Sequence, residues 1–161
     1  MATNDQRQHM VGIMQFFLDH KSLLPYKAIR PMSTKDLYEH DVVTMFAKGQ
    51  SINTDCSEMV TLICKWAGLK DPNGFGYNGD GNSSTMYKHL AHYTQPERAH
   101  AGAIVVFGPS GGTHAAMVME PAKDPVLFSH GSPGAIKIPL SQYIAAEPSQ
   151  KPVTFLDIGS L

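Results

Sequence analysis

The stretch Ala101–Glu120, AGAIVVFGPSGGTHAAMVME, decides how the rest of the chain reads. Ile104–Phe107 is an unbroken β-branched and aromatic run, and Thr113–Glu120 is a second strand candidate. Gly111-Gly112 between them fits a hairpin turn. Downstream, Val126–His130, Ala135–Ile138 and Val153–Asp157 repeat the pattern as short segments bounded by Gly and Pro. Short strands joined by such turns predict an antiparallel sheet.

Upstream of Ala101 the apolar period changes. Residues 5–20 set Met10, Met14, Phe17 and Leu18 at i, i+4, i+7 and i+8, one face of a helix. After a connector holding Pro25 and Pro31, Ser33 opens a second helix with Asp36 in its first turn. Its inward positions are Leu37, Val42, Met45 and Phe46, and Gly49 is its stop. A third helix is expected from Asp55 to Ala67, ended by Gly68, and a short fourth over Ser84–His92. Helices first and strands after predict an α+β domain, with N-terminal helices packed on a C-terminal antiparallel sheet. At 161 residues the chain is read as a single domain, 1–161.

Lys and Arg number 13 against 14 Asp and Glu, for a net charge of -1. That balance gives no electrostatic footprint for nucleic acid or an anionic membrane, and neither partner is expected. No apolar run reaches the roughly 18–20 residues of a membrane helix. The opening MATNDQRQHM lacks the basic-then-apolar pattern of a signal peptide.

Chemistry concentrates at Thr54-Asp55-Cys56-Ser57-Glu58. Asp55 reads as an N-cap, with Glu58 three residues on completing a capping-box pattern. Cys56 then falls in the first helical turn, where free N–H groups and the helix dipole lower a thiol's pKa. Cys64, two turns deeper among Val60, Leu62, Ile63 and Trp66, reads as a core thiol. Eight residues of helix set the Cα atoms of the two cysteines roughly 12 Å apart, too far for a disulfide. A nucleophilic thiolate also needs an oriented base. His114 stands at the mouth of a strand, and His130 ends the next one, where it can hold the imidazole of His114. The same three residues could instead bind zinc as Cys-His-His, but no supporting acid or CxxC pair accompanies them. The loop 71–85, DPNGFGYNGDGNSST, reads as an ordered groove wall in which Tyr77, Asn78 and Asn82 would contact substrate. Asp71, Asn73 and Asp80 suggest a calcium loop, yet Phe75 stands where a third oxygen ligand belongs. No metal or cofactor is expected.

Three blocks resemble the NlpC/P60 cysteine peptidases, a papain-like family. TDCSEMVTLICKWAGL resembles the nucleophile helix, AGAIVVFGPSGGTHAAMVME the block bearing the histidine, and LFSHGSPGAIKIPL the strand with the third polar residue. The resemblance spans about residues 26–145, and it is most like domains of actinobacteriophage lysins and tail-associated hydrolases. It implies a papain-like fold and cleavage of peptidoglycan stem-peptide amides, with Cys56 as nucleophile, His114 as base and His130 as orienting residue. Asp55 and Ser57 beside the nucleophile would help bind substrate. The family's upstream tyrosine corresponds to Tyr26, with Tyr38 as rival. Glu58 stands where a Gly is common, and Ala103 where the family has Asp. The implied partners are bacterial peptidoglycan and other phage tail proteins. The implied locations are the virion tail or the host cytoplasm, with holin-dependent release. Two alternatives stay open: a structural or wall-binding tail component without turnover, and an amidase or transferase using the same thioester chemistry.

Overall fold

The computed structural model describes residues 1–27 and 37–161. Helix α1, Asn4–Asp19, begins with a full capping box: Thr3 Oγ1 accepts from the Gln6 N–H, and the Gln6 side chain accepts from the Thr3 N–H. Met10, Ile13, Met14 and Phe17 are its buried face. Ser33 and Asp36, expected to start the second helix, lie outside the described residues. Within them, the expected helix to Gly49 is broken. Residues 37–39 are helical, and a separate helix α2 runs Val42–Ala47 with Asp41 as its own N-cap on the Thr44 N–H. Asp41 competes with the preceding turn for backbone donors, and the buried Leu37 and Val42 are five residues apart, a step that one continuous helix would not place on one face.

Helix α3, Cys56–Trp66, is the centre of the molecule. Every residue from Ser57 to Cys64 is buried, so this helix is packed on all sides. The Phe17 ring stacks on Trp66 at 5.3 Å, fixing α1 against it. Helix α4, Ser83–His89, starts at a capping box between Asn82 and Thr85.

The strands are β1 (His92–Tyr93), β2 (Ile104–Phe107), β3 (His114–Glu120), β4 (Val126–Gly131), β5 (Gly134–Pro139) and β6 (Val153–Leu156). They form one sheet in the order β1-β6-β2-β3-β4-β5, and every pairing is antiparallel. The α+β class and the packing of helices on an antiparallel sheet agree with the sequence. Alternation sorts the side chains onto two faces. Ile104, Val106, Ala115, Met117 and Phe128 join the main core with α1 and α3, while Val105, Phe107, Ala116, Val118 and Phe155 form a second cluster. That second face is covered by Leu140, Tyr143 and Ile144 of helix α5, Leu140–Ala146, which the strand pattern gave no reason to expect.

The β2–β3 connection is longer than a two-residue hairpin. Residues 108–113 contain a 3-10 turn, Pro109–Gly111. Gly108 opens it at φ +82, and a Cβ there would meet Thr113 side-chain atoms at 2.6 Å, so only glycine fits. The effect is to set His114 as the first residue of β3, at the rim of the sheet.

Candidate active site

Asp55 prepares the N-terminus of α3. Its Oδ1 accepts the Glu58 N–H at 2.8 Å and the Ser57 hydroxyl at 3.0 Å. Both residues therefore shape the helix start: Asp55 as the cap, and Ser57 as a buried donor to it. The N–H groups of Cys56 and Ser57 precede the intrahelical ladder. The Cys56 sulfur, half-buried, lies against the Ser57 N–H, the Ala115 N–H and the Tyr26 hydroxyl. Ala115 pairs with Val106 of β2 and stands one residue outside the last β3–β4 pair, Ala116↔Ser129, which puts its N–H at the end of the sheet nearest the sulfur. The sulfur thus sits on the peptide that joins His114 to Ala115.

Burial pushes the Cys56 thiol up, and the Asp55 carboxylate adds to the rise. The three donors pull the other way and do not prevail. This reverses the sequence expectation of a lowered thiol, because loss of solvent outweighs the favourable helix start. His114 is buried too, and burial together with neighbouring His130 brings its pKa down to about 4. At neutral pH Cys56 rests as a thiol and His114 as a neutral imidazole. Cys64 is fully buried, and burial holds its thiol far above the usual range.

The orienting partner of His114 differs from the expected one. His114 Nε2 is 2.8 Å from Ser129 Oγ, in a buried contact. His130 Nε2 instead donates to the Thr54 carbonyl at 3.2 Å, and its Nδ1 has no partner. Side-chain alternation is the cause. Ser129 is paired with Ala116, two residues from His114, so Ser129 and His114 share a face, and His130 is turned to the other. In the tautomer that gives Nε2–H to Ser129, His114 Nδ1 keeps the lone pair of a base.

Tyr26 is at the site. A parallel bridge links it to Thr54, whose carbonyl also accepts the Lys27 N–H at 2.9 Å. Its ring meets the His130 ring edge-on at 5.3 Å, and burial raises the Tyr26 hydroxyl well above its usual pKa. Tyr38, the rival, packs edge-on against Tyr77 at 5.3 Å. A cleft of about 260 Å³ opens here, with Tyr26, His114, Ser129, Pro133, Tyr143 and Glu147 among its walls. Tyr143 was not anticipated. Its ring lies nearly parallel to the His114 imidazole, 5.7 Å away at 21°, and 4.8 Å from Phe107. The signal available for it was the spacing of Leu140, Tyr143 and Ile144 at i, i+3 and i+4.

Tyr77 and Asn78 do not line this cleft. The Tyr77 hydroxyl donates to the Leu69 carbonyl at 2.8 Å, its N–H donates to Asp71 at 3.0 Å, and Lys65 Nζ stands 4.8 Å over its ring. Asn78 pairs with Asp80 at 3.1 Å. The loop is built around buried Asp71, whose carboxylate accepts the N–H groups of Asn73, Phe75 and Tyr77 and the Asn73 amide. Asn73 carries the network to Thr61 on α3 and Thr85 on α4. Tyr77 is therefore a pin that holds the loop, and the groove-wall role assigned to these two residues is corrected. Among the described residues, no group of three or more His, Cys, Asp or Glu side chains is arranged to hold a metal ion.

Also among the described residues, no helix is long and apolar enough to cross a membrane. No family model, no curated protein and no solved structure matches this chain.

Proposed function

We propose that the protein is a peptidoglycan hydrolase of papain-like, NlpC/P60 type, a phage-encoded cysteine endopeptidase acting on stem-peptide amides. The observation that carries this reading is the Cys56 sulfur, seated at a capped helix start against the His114–Ala115 peptide, with His114 bonded to Ser129 in an open cleft. The motif order of nucleophile, histidine and third polar residue supports it, with Ser129 taking the third role.

In this mechanism His114 acts as a neutral general base. Its Nδ1 takes the thiol proton as the sulfur attacks the amide carbonyl. The developing oxyanion receives the Cys56 N–H and the Tyr26 hydroxyl, both at the helix mouth. The imidazolium formed is steadied by Ser129, whose Oγ accepts Nε2–H, and by the Tyr143 ring beside it. His114 then returns the proton to the leaving amine, and the carbonyl–nitrogen bond breaks to leave a thioester on Cys56. Water, deprotonated by His114, hydrolyses that thioester. An amidase or transferase would share every step up to the choice of leaving group or acceptor.

A second reading has one specific observation in its favour. Burial leaves both Cys56 and His114 uncharged at rest, as in a retained fold without turnover. The protein would then be a structural or wall-binding component of a phage tail. Under the hydrolase reading the partner is bacterial peptidoglycan, met from the tail or after holin-dependent release; under the second it is peptidoglycan or other phage tail proteins. Digestion of purified cell walls, with mass spectrometry of the products, separates the readings. New amino termini on stem residues mark an endopeptidase, free muramic lactyl groups mark an amidase, and unchanged walls mark the tail component.

A further inference from the structure

One wall of the cleft carries a charge that the mechanism does not use. Glu147 follows α5 by one residue, and its N–H bonds to the Tyr143 carbonyl at 2.9 Å. The i, i+4 relation sets it one turn, roughly 5 Å along the axis, beyond the ring that lies on His114. Glu147 lines the same cleft as His114 and raises the Tyr143 hydroxyl, behind the larger effect of burial, to about 12. The segment that follows it is tied down on two sides. The Gln150 carbonyl accepts the Gly108 N–H at 2.8 Å, and its side chain is hydrogen-bonded to Thr113 Oγ1 at 2.7 Å. Glu147 itself is exposed, three residues before this anchored point on the cleft rim.

No Lys or Arg is among the described cleft-lining residues, and Glu147 is the only carboxylate there. Asp55, acting on His114, His130 and Cys56 from the helix side, adds a second negative charge near the reacting atoms. Such a field attracts a cation and disfavours a free carboxylate at the same position. We propose that Glu147 is a specificity-determining residue that binds a free ammonium group of the substrate, carried within about two residues of the scissile carbonyl. The inference rests on the hydrolase reading and names the class of substrate it selects: peptides with an unblocked amine beside the cleaved bond.

The test uses the full chain and two kinds of probe. Soluble peptidoglycan fragments with free side-chain amines, and the same fragments acetylated, are compared by kcat/KM. The wild type should favour the free amine by up to about fivefold, as expected of a solvent-exposed ion pair, and Glu147→Gln should bring the ratio close to one. Separately, Cys56 is labelled with cationic and anionic methanethiosulfonates, which read the cleft's charge without turnover. The cationic reagent should react faster, and Glu147→Lys should reverse that order. A wild-type ratio near one, or a ratio unchanged in Glu147→Gln, overturns the inference while leaving hydrolysis standing. Charge-selective labelling without cleavage of any fragment removes the hydrolase reading and keeps the ammonium site. Absence of both removes both.

Discussion

His114 Nε2 lies 2.8 Å from Ser129 Oγ, and the two side chains share one face of the sheet because Ser129 pairs with Ala116. His130, one residue further along β4, looks the other way and holds the Thr54 carbonyl. Substituting the two should therefore have different consequences. Ser129→Ala should lower kcat by about 10- to 100-fold with little change in KM or melting temperature, because it frees the His114 ring. His130→Ala should act chiefly on the fold, at a cost of about 2–4 kcal/mol in urea unfolding, by opening a cavity and removing a bond to Thr54. Equal kinetic losses without any loss of stability in His130→Ala would return the orienting role to His130.

The Tyr26 hydroxyl should matter to catalysis through one atom. Tyr26→Phe keeps the ring against His130 and removes the donor beside the sulfur. The expected loss in kcat is about 10²-fold, in the range typical for one oxyanion donor, with the thermal unfolding midpoint unchanged. A variant as active as the wild type would take Tyr26 out of the mechanism.

Protonation of His114 should weaken both activity and fold in acid. The base must be unprotonated, so kcat/KM should hold down to the region of its lowered pKa, about 4, and fall below it. The folded protein binds that proton less tightly than the unfolded chain, whose histidine titrates near 6.5. Stability is thus complete above pH 6.5 and declines as pH falls toward about 4, by up to about 3 kcal/mol from this group. Urea unfolding at pH 7 and pH 4.5 should show a smaller decline for His114→Gln than for the wild type. Equal declines would contradict the burial argument.

Thiol chemistry should discriminate the two cysteines. Cys56 reaches solvent and Cys64 does not, so a small alkylating reagent should modify Cys56 alone in the folded protein. Because burial raises the Cys56 thiol, the rate should climb as pH passes above 8, without a plateau at neutral pH. A rate already maximal at pH 6 would indicate a resting thiolate–imidazolium pair instead.

Much of this architecture is legible in the residues themselves, for local reasons. Ile104–Phe107 has no helical reading to compete with it, and Asp55 before an apolar run with Gly68 after it bounds α3 from both ends. Where the sequence misleads, the deciding term is non-local. The helix expected to end at Gly49 does stop there but is interrupted before Val42, because Asp41 caps a new helix. Helix α5 escapes notice because its Leu140, Tyr143 and Ile144 gain meaning only when laid on the second sheet face. Ser129 and His130 are neighbours in sequence, and strand register alone decides which of them faces His114. The chemical expectation attached to Cys56 fails similarly: the helix start is visible in the sequence, while the burial that overrides it is a property of the packed chain.

The central claim is that Cys56 is the nucleophile that opens a stem-peptide amide. Mass spectrometry of purified peptidoglycan, incubated with the wild type and with Cys56→Ala, tests it directly. New amino termini should form with the wild type and be absent with a Cys56→Ala variant of unchanged circular dichroism. The same cleavage products from both proteins, or intact walls with the wild type, would contradict it.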